Sequence, residues 1–294
     1  MNNRQVKHFS RSGSELNRLI EQYYEEAAID YRLLWHNQDN LAFHFGYYDS
    51  ETRTHAESLE NTNRILATKV GVRRGDRLLD VGCGMGGSCL WLAKNLGAHP
   101  TGVALGRQSI EQARLIARER GLDDLVQFDC GDFQALGYGD AFFDVVWALE
   151  SVCHLPQKSE FYREASRLLR PGGRLVVGEF MRSERILSEQ DEGIMDEWMS
   201  GWVMPGIDTA RQHLAGVELA GLTQARVDDI TPQMFRSLRR LYRCAIMAKP
   251  VNWLLHRVGV RNAVQYNNAI ASLRQFQALR NGCWFYGVLT ATKP

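Results

Sequence analysis

The sequence predicts an α/β protein, a parallel sheet with helices on both faces that carries a helical cap. Three observations lead there. Apolar runs of strand length alternate with amphipathic helical segments over residues 76–180. A glycine-rich turn, Asp80-Val81-Gly82-Cys83-Gly84-Met85-Gly86-Gly87, joins the first of those strands to the first helix. Helical patterning fills the chain on either side of this block. Strands are expected near 77–81, 100–104, 125–128, 143–148 and 174–180, and helices near 87–96, 107–120 and 158–169. Gly97 and Gly121 stand at C-cap positions. Sheets of this kind bind ligands outside the carboxyl ends of their strands.

The flanking sequence reads as a covering. Ser12-Gly13-Ser14-Glu15 has the form of a capping box. Leu16, Leu19, Ile20, Tyr23, Tyr24, Ala27, Ala28, Tyr31, Leu34 and Trp35 then recur at intervals of three and four, one face of a long amphipathic helix. Residues 181–220 and 231–281 are further helical insertions. The expected organisation is a single domain, with residues 1–75 as an N-terminal helical lid, 76–180 as the cofactor-binding core and 181–294 as the rest of the sheet with its cap.

Composition excludes several classes. With 294 residues, 45% of them hydrophobic, the chain can bury a large core. A net charge of +1, from 35 basic and 34 acidic residues, supplies no global field to draw it to nucleic acid. No apolar run reaches the roughly 18–20 residues that span a bilayer, and the polar start is unlike a signal peptide. Six scattered cysteines without a C-x-x-C pair are expected to be reduced thiols in a cytoplasmic protein, with no metal site built from them. Homo-oligomerisation is left open.

The glycine turn brings backbone within contact distance of a ligand and presents free N–H groups at a helix start. Gly82, Gly84 and Gly87 satisfy the dinucleotide spacing G-x-G-x-x-G, which needs a ribose-binding acid after the second strand; Ala104 stands there instead. Asp80-x-Gly82-x-Gly84-x-Gly86 resembles the loop of class I S-adenosylmethionine-dependent methyltransferases. Three further landmarks of that family follow in order: Gly131-Asp132-Phe133, Phe143-Asp144-Val145-Val146 and Leu169-Arg170-Pro171-Gly172-Gly173. The resemblance implies a Rossmann-like sheet of seven strands, the last two near 222–229 and 283–291. It also assigns the cofactor. Asp80, Gly82, Cys83 and Gly84 would hold the methionine end, Leu149 its ammonium through a carbonyl, and Asp132 and Phe133 the adenine. Ala104-Leu105-Gly106 is closer to the subgroup acting on sterols, tocopherols and prenyl diphosphates, which places Leu105 at the cofactor and leaves the ribose to Gln108 and Ser109.

Chemistry is expected where strand four ends, in Leu149-Glu150-Ser151-Val152-Cys153-His154. A carboxylate at that depth is costly unless paired or used, so Glu150 is the candidate general base. His154 is a second candidate, with capping of the next turn as its alternative role. Phe43-His44-Phe45-Gly46-Tyr47-Tyr48-Asp49 is similar to a segment of tocopherol-type and prenyl-type C-methyltransferases. That likeness makes Tyr47 a catalytic candidate and Tyr48 a substrate contact, against simple aromatic packing. The aromatics Trp35, Tyr47, Tyr48, Trp198, Trp202, Tyr242 and Trp253 suit an apolar acceptor, and Trp202 precedes Val203-Met204-Pro205, where relatives face the substrate. Arg236, Arg239, Arg240 and Arg243 share one helix face. Arg239 and Arg243 would then clamp a diphosphate, with Mg²⁺ accompanying such a substrate, unless the stripe is simply a solvated face. The reading is C-methylation of an isoprenoid double bond. Its alternatives are N- or O-methylation of a small hydrophobic natural product, a nicotinamide oxidoreductase, and a non-catalytic cofactor-binding regulator.

Overall fold

A computed structural model describes residues 13–34, 40–133 and 137–294. The capping box at Ser12 and the aromatic Trp35 lie outside the described residues. Seven strands, β1 (Arg77–Val81), β2 (His99–Ala104), β3 (Gln127–Cys130), β4 (Phe143–Leu149), β5 (Leu169–Arg182), β6 (Thr223–Asp229) and β7 (Trp284–Thr292), form one sheet in the order β3-β2-β1-β4-β5-β7-β6. The first five run parallel, and β7 runs antiparallel between β5 and β6. The Rossmann-like sheet that the sequence implied is therefore present, with its strand order reversing between β1 and β4. There a crevice opens beyond the strand ends.

Burial explains the strand sequences. All seven residues of β4, Phe-Asp-Val-Val-Trp-Ala-Leu, are buried, as a central parallel strand covered on both faces requires. Strand β5 begins five residues earlier than expected because Leu169 already pairs with Phe143, and the ladder shifts register before Arg174 meets Val145. Helices α3 (Gly87–Leu96), α4 (Arg107–Glu119) and α5 (Lys158–Leu168) cover the sheet close to their expected bounds.

Helix α2 (His55–Val70) is an element the sequence reading did not anticipate. Thr54 and Glu57 close a capping box at its start and Gly71 ends it at φ 66°. Its Leu66, Ala67 and Val70 share a core with Leu78, Trp147 and Val176, so it lies against the sheet. Helix α7 (Ala210–Leu219) also belongs to the sheet's covering. Its Gly216 lies close to the Tyr162 ring, and its buried His213 meets the Tyr162 hydroxyl at 2.5 Å.

The cap consists of α1 (Gly13–Leu34), α6 (Glu189–Gly201), α8 (Thr231–Arg257) and α9 (Ala263–Arg280). Helix α1 is held by polar contacts as well as apolar ones. Arg261 Nη2 donates to both oxygens of Asp30 at 2.7 and 2.6 Å, and Asn268 Nδ2 donates to the same carboxylate at 3.0 Å. Tyr23 donates its hydroxyl to Asn268 Oδ1 at 2.9 Å. Asp30 is buried, so losing one partner of this pair leaves an uncompensated charge.

Candidate active site

Two adjoining hollows lie beyond the carboxyl ends of β1 and β4. The outer cleft, about 1710 Å³ and partly open to solvent, runs along the glycine turn. The inner cavity, about 580 Å³ and likewise partly open to solvent, lies beneath the cap. Tyr24, Phe43, Glu150 and His154 line both.

The outer cleft gathers every residue the sequence reading gave to the cofactor: Asp80, Gly82, Cys83, Gly84, Leu105, Asp132, Phe133 and Leu149 all line it, as do Gln108 and Ser109. Gly82, Gly84 and Gly86 have φ of 85°, 54° and 81°, a backbone that side chains disfavour. A Cβ on Gly84 would stand 2.7 Å from the Phe43 ring, so glycine there lets the segment entering from the cap close against the loop. Asp80 is buried, and its carboxylate accepts from the Cys89 thiol at 3.2 Å. Burial with so weak a donor pushes its pKa up to about 7. A cationic ligand in the cleft would supply the partner this carboxylate lacks. Asp132, at the far end, accepts from Asn17 Nδ2 of α1 at 2.9 Å.

Glu150 sits where the two hollows meet. It is a non-glycine residue with φ 53°, directly after β4, held by its amide donating to Gly178 O at 2.8 Å. Its Oε1 accepts from the Phe45 amide at 2.8 Å and from the Tyr286 hydroxyl at 2.7 Å. Burial nevertheless dominates and raises its pKa to about 8. His154 ends a short 3-10 turn, Val152–His154. Its Nδ1 lies 3.2 Å from the Val203 carbonyl and its Nε2 3.0 Å from the Tyr24 hydroxyl. A carbonyl only accepts, so Nδ1 carries the proton and Nε2 presents its lone pair. Burial lowers this histidine to about 4, so it stays neutral at physiological pH. Behind both, the buried Glu179 accepts from the Cys153 amide at 2.8 Å and anchors the turn from β5.

Four expected residues fall elsewhere. Tyr47 and Tyr48 line neither hollow. The Tyr47 amide is tied to Ser58 O and Thr62 Oγ1, and the Tyr48 ring lies under the Arg236 guanidinium, 4.5 Å from its centroid. Their segment contributes Phe43, His44 and Phe45 instead, and the hydroxyls at the site come from Tyr23, Tyr24 and Tyr286. Arg239 and Arg243 are exposed on α8, outside both hollows, because Leu238 and Leu241 turn the other side of that helix inward. Among the described residues no lysine or arginine lines either hollow, and no group of three or more His, Cys, Asp or Glu is arranged to hold a metal ion. The described residues therefore do not fit a Mg²⁺–diphosphate site. Trp202 does line the inner cavity, beside Phe180 at 6.2 Å between centroids, and its Nε1 is buried without a hydrogen-bond partner. Asp30, Met204, Leu241, Asn268 and Ser272 complete the wall and were not anticipated.

The crevice, the glycine turn and the acids at its two ends define a Rossmann-like nucleotide-cofactor enzyme. A family model described as methyltransferase domain matches residues 79–177. Methyltransferase GfsG of Streptomyces halstedii is 32% identical over 219 residues, 74% of this chain and 77% of its own length. The 27-O-demethylrifamycin SV methyltransferase of Amycolatopsis mediterranei is 36% identical over 64% of this chain and 69% of its own. A sterol 24-C-methyltransferase of Gibberella zeae is 34% identical, but the chain spans only 42% of that protein. Among solved structures, the [4+2]-cyclase SpnF superposes with a TM-score of 0.79 at 26% identity, covering 95% of this chain and 96% of its own. Geranyl diphosphate C-methyltransferase from Streptomyces coelicolor gives 0.71 at 18% identity, covering 95% and 98%, a likeness of fold. The chain belongs to the class I S-adenosylmethionine-dependent methyltransferase family and resembles its sterol and prenyl-diphosphate C-methyltransferase subgroup. That membership answers the choice between methyl donor and nicotinamide in favour of the methyl donor.

Proposed function

We propose that this enzyme methylates a neutral, largely apolar natural product at a carbon–carbon double bond, with Glu150 as the base. The carrying observation is the placement of Glu150, the part-buried carboxyl that lines the outer cleft and the inner cavity together. The cofactor, when bound, supplies an activated methyl group on a sulfonium. Asp80, the backbone of Gly82 to Gly84 and the Leu149 carbonyl hold its amino-acid end, and Asp132 and Phe133 hold the adenine. Phe43, Phe45, Phe180 and Trp202 exclude water and position the alkene, which has no proton to lose before attack. Transfer leaves a tertiary cation on the substrate. The aromatic faces and Glu150 steady that charge, and Glu150 then takes the neighbouring proton. A cationic donor and a cationic substrate both favour the ionised carboxylate, and the Tyr286 hydroxyl keeps it aimed.

A second reading rests on His154. Its Nε2 lone pair, which accepts from the Tyr24 hydroxyl, would take a proton from an alcohol that displaces that hydroxyl, and the rifamycin relative is named for a 27-O-demethyl substrate. Incubation of the purified enzyme with methyl-labelled donor and paired acceptors tests both. Prenylated aromatics and sterol-like alkenes form one set, and macrocyclic and aromatic alcohols the other. Label carried on carbon and lost in Glu150→Gln supports the first reading. Label carried on oxygen and lost in His154→Ala overturns it in favour of the second. Transfer only to geranyl or farnesyl diphosphate overturns the neutral acceptor in both.

A further inference from the structure

Asp229 is the last acidic residue of this chain, although the whole sequence is near neutral at +1. The α8–α9 part of the cap is therefore strongly cationic. On α8, Arg239, Arg243, Lys249 and Arg257 are exposed. The second half of α8 also inverts the usual pattern of a surface helix. Met247, Val251, Leu254 and Val258 recur at intervals of four, three and four, which places them in one stripe, and they are 72%, 58%, 54% and 62% exposed. Trp253, half exposed, lies about 100° round the helix from Leu254, with the Arg257 guanidinium between it and the stripe, 5.6 Å above its ring. The buried side of this segment carries Ala245 and Asn252. So large an outward apolar stripe marks an interaction surface.

We propose that the second half of α8 docks on the surface of an anionic phospholipid bilayer. An aliphatic strip flanked on one side by Arg243 and Arg257, with Trp253 beyond Arg257 on the same exposed side and no acid in α8 or α9, is what an interfacial helix presents to acyl chains and lipid phosphates. Charge argues against a second copy of this chain in a two-fold contact, which would bring the same cations together with nothing to neutralise them. The same helix contributes Leu241 to the inner cavity, and Met247 lies about 9 Å further along its axis at ~1.5 Å per residue. Docking there sets the substrate cavity close to the membrane, where an apolar acceptor accumulates.

Co-sedimentation of the full chain with vesicles tests this, using phosphatidylcholine alone and phosphatidylcholine mixed equally with phosphatidylglycerol. The expected result is partitioning onto the anionic vesicles at least about tenfold stronger than onto the neutral ones, weakening as salt is raised. Val251→Glu with Leu254→Glu should cut that partitioning at least about tenfold while the melting temperature is kept. If that pair unfolds, Arg243→Gln with Lys249→Gln and Arg257→Gln serves in its place and should abolish the preference for anionic lipid. Absence of binding at low salt, or binding that both variants retain, overturns the proposal. Dimers in solution that Leu254→Glu dissociates, without vesicle binding, overturn it in favour of a second copy.

Discussion

Tyr286, on the antiparallel strand β7, donates its hydroxyl to Glu150 at the tip of β4 across 2.7 Å. β5 lies between these strands, so the contact crosses that strand over Gly178, at the point where both hollows meet. It aims a carboxylate that burial alone would leave protonated. Tyr286→Phe should slow methyl transfer by about tenfold, with the acceptor KM nearly unchanged and the rising limb of the rate profile moved to higher pH, read from kcat against pH.

Glu150→Gln keeps the shape and removes the base. Methyl transfer to an alkene should fall by at least about a hundredfold, while the affinity for S-adenosylhomocysteine in calorimetry stays within about threefold, since that product carries no sulfonium charge. Loss of cofactor binding in parallel with rate would remove Glu150 from the chemical step.

Gly84→Ala should weaken cofactor binding about tenfold or more and destabilise the fold by about 1–3 kcal/mol. The new Cβ meets the Phe43 ring, and φ at this position is 54°. Titration with S-adenosylmethionine and thermal melting measure the two effects. Gly75 is the control: its φ is 81° with nothing within 4 Å of an added Cβ, so Gly75→Ala should lower the melting temperature alone.

Burial raises Glu150 to about 8 and Glu179 to about 7, from an ordinary 4.5. The folded state thus favours their protonated forms. The stability they contribute is complete below about 4.5 and is lost as pH rises through 7 and 8. The melting temperature should decline across that window, and Glu179→Gln should flatten the decline. At the acid end the sign reverses: His154, lowered to about 4, adds stability above its unfolded value of 6.5 that is lost as pH falls toward 4.

Arg261→Leu should destabilise the protein by about 3 kcal/mol, because it strands the buried Asp30 without its ion pair. Hydrogen exchange should quicken in α1 before it does in the sheet, and methyl transfer should fall with it.

The lining of the outer cleft was legible in the sequence and that of the inner cavity much less so, for a physical reason. A glycine at positive φ, an acid at a strand end and a buried parallel strand constrain residue type at fixed spacing, so Asp80 through Gly87 and Asp132 announce themselves. The cap side of the inner cavity is assembled from α1, the segment after α6, α8 and α9, whose side chains meet across long separations. Tyr24, Asn268 and Ser272 carry no motif of their own. Tyr47 and Tyr48 were misplaced because the aromatic segment turns Phe43 and Phe45 inward. Helix α2 did carry a local signal, Thr54-x-x-Glu57 before an amphipathic run, and was passed over. The arginines on α8 followed their bland alternative of an exposed face, as charged helical stripes usually do.

The anchor of α1 has a temporal meaning. Asp30 and its arginine are 231 positions apart, so a ribosome elongating at about 5–20 residues per second completes the second partner roughly 10–50 s after the first. During that interval α1 gains its core contacts, Asn17 to Asp132 and Tyr24 to His154, while Asp30 still waits for its cation and β1 to β5 can already assemble. Fastening of the first helix over the reaction chamber is thus reserved for a polypeptide whose α8–α9 connection has been translated.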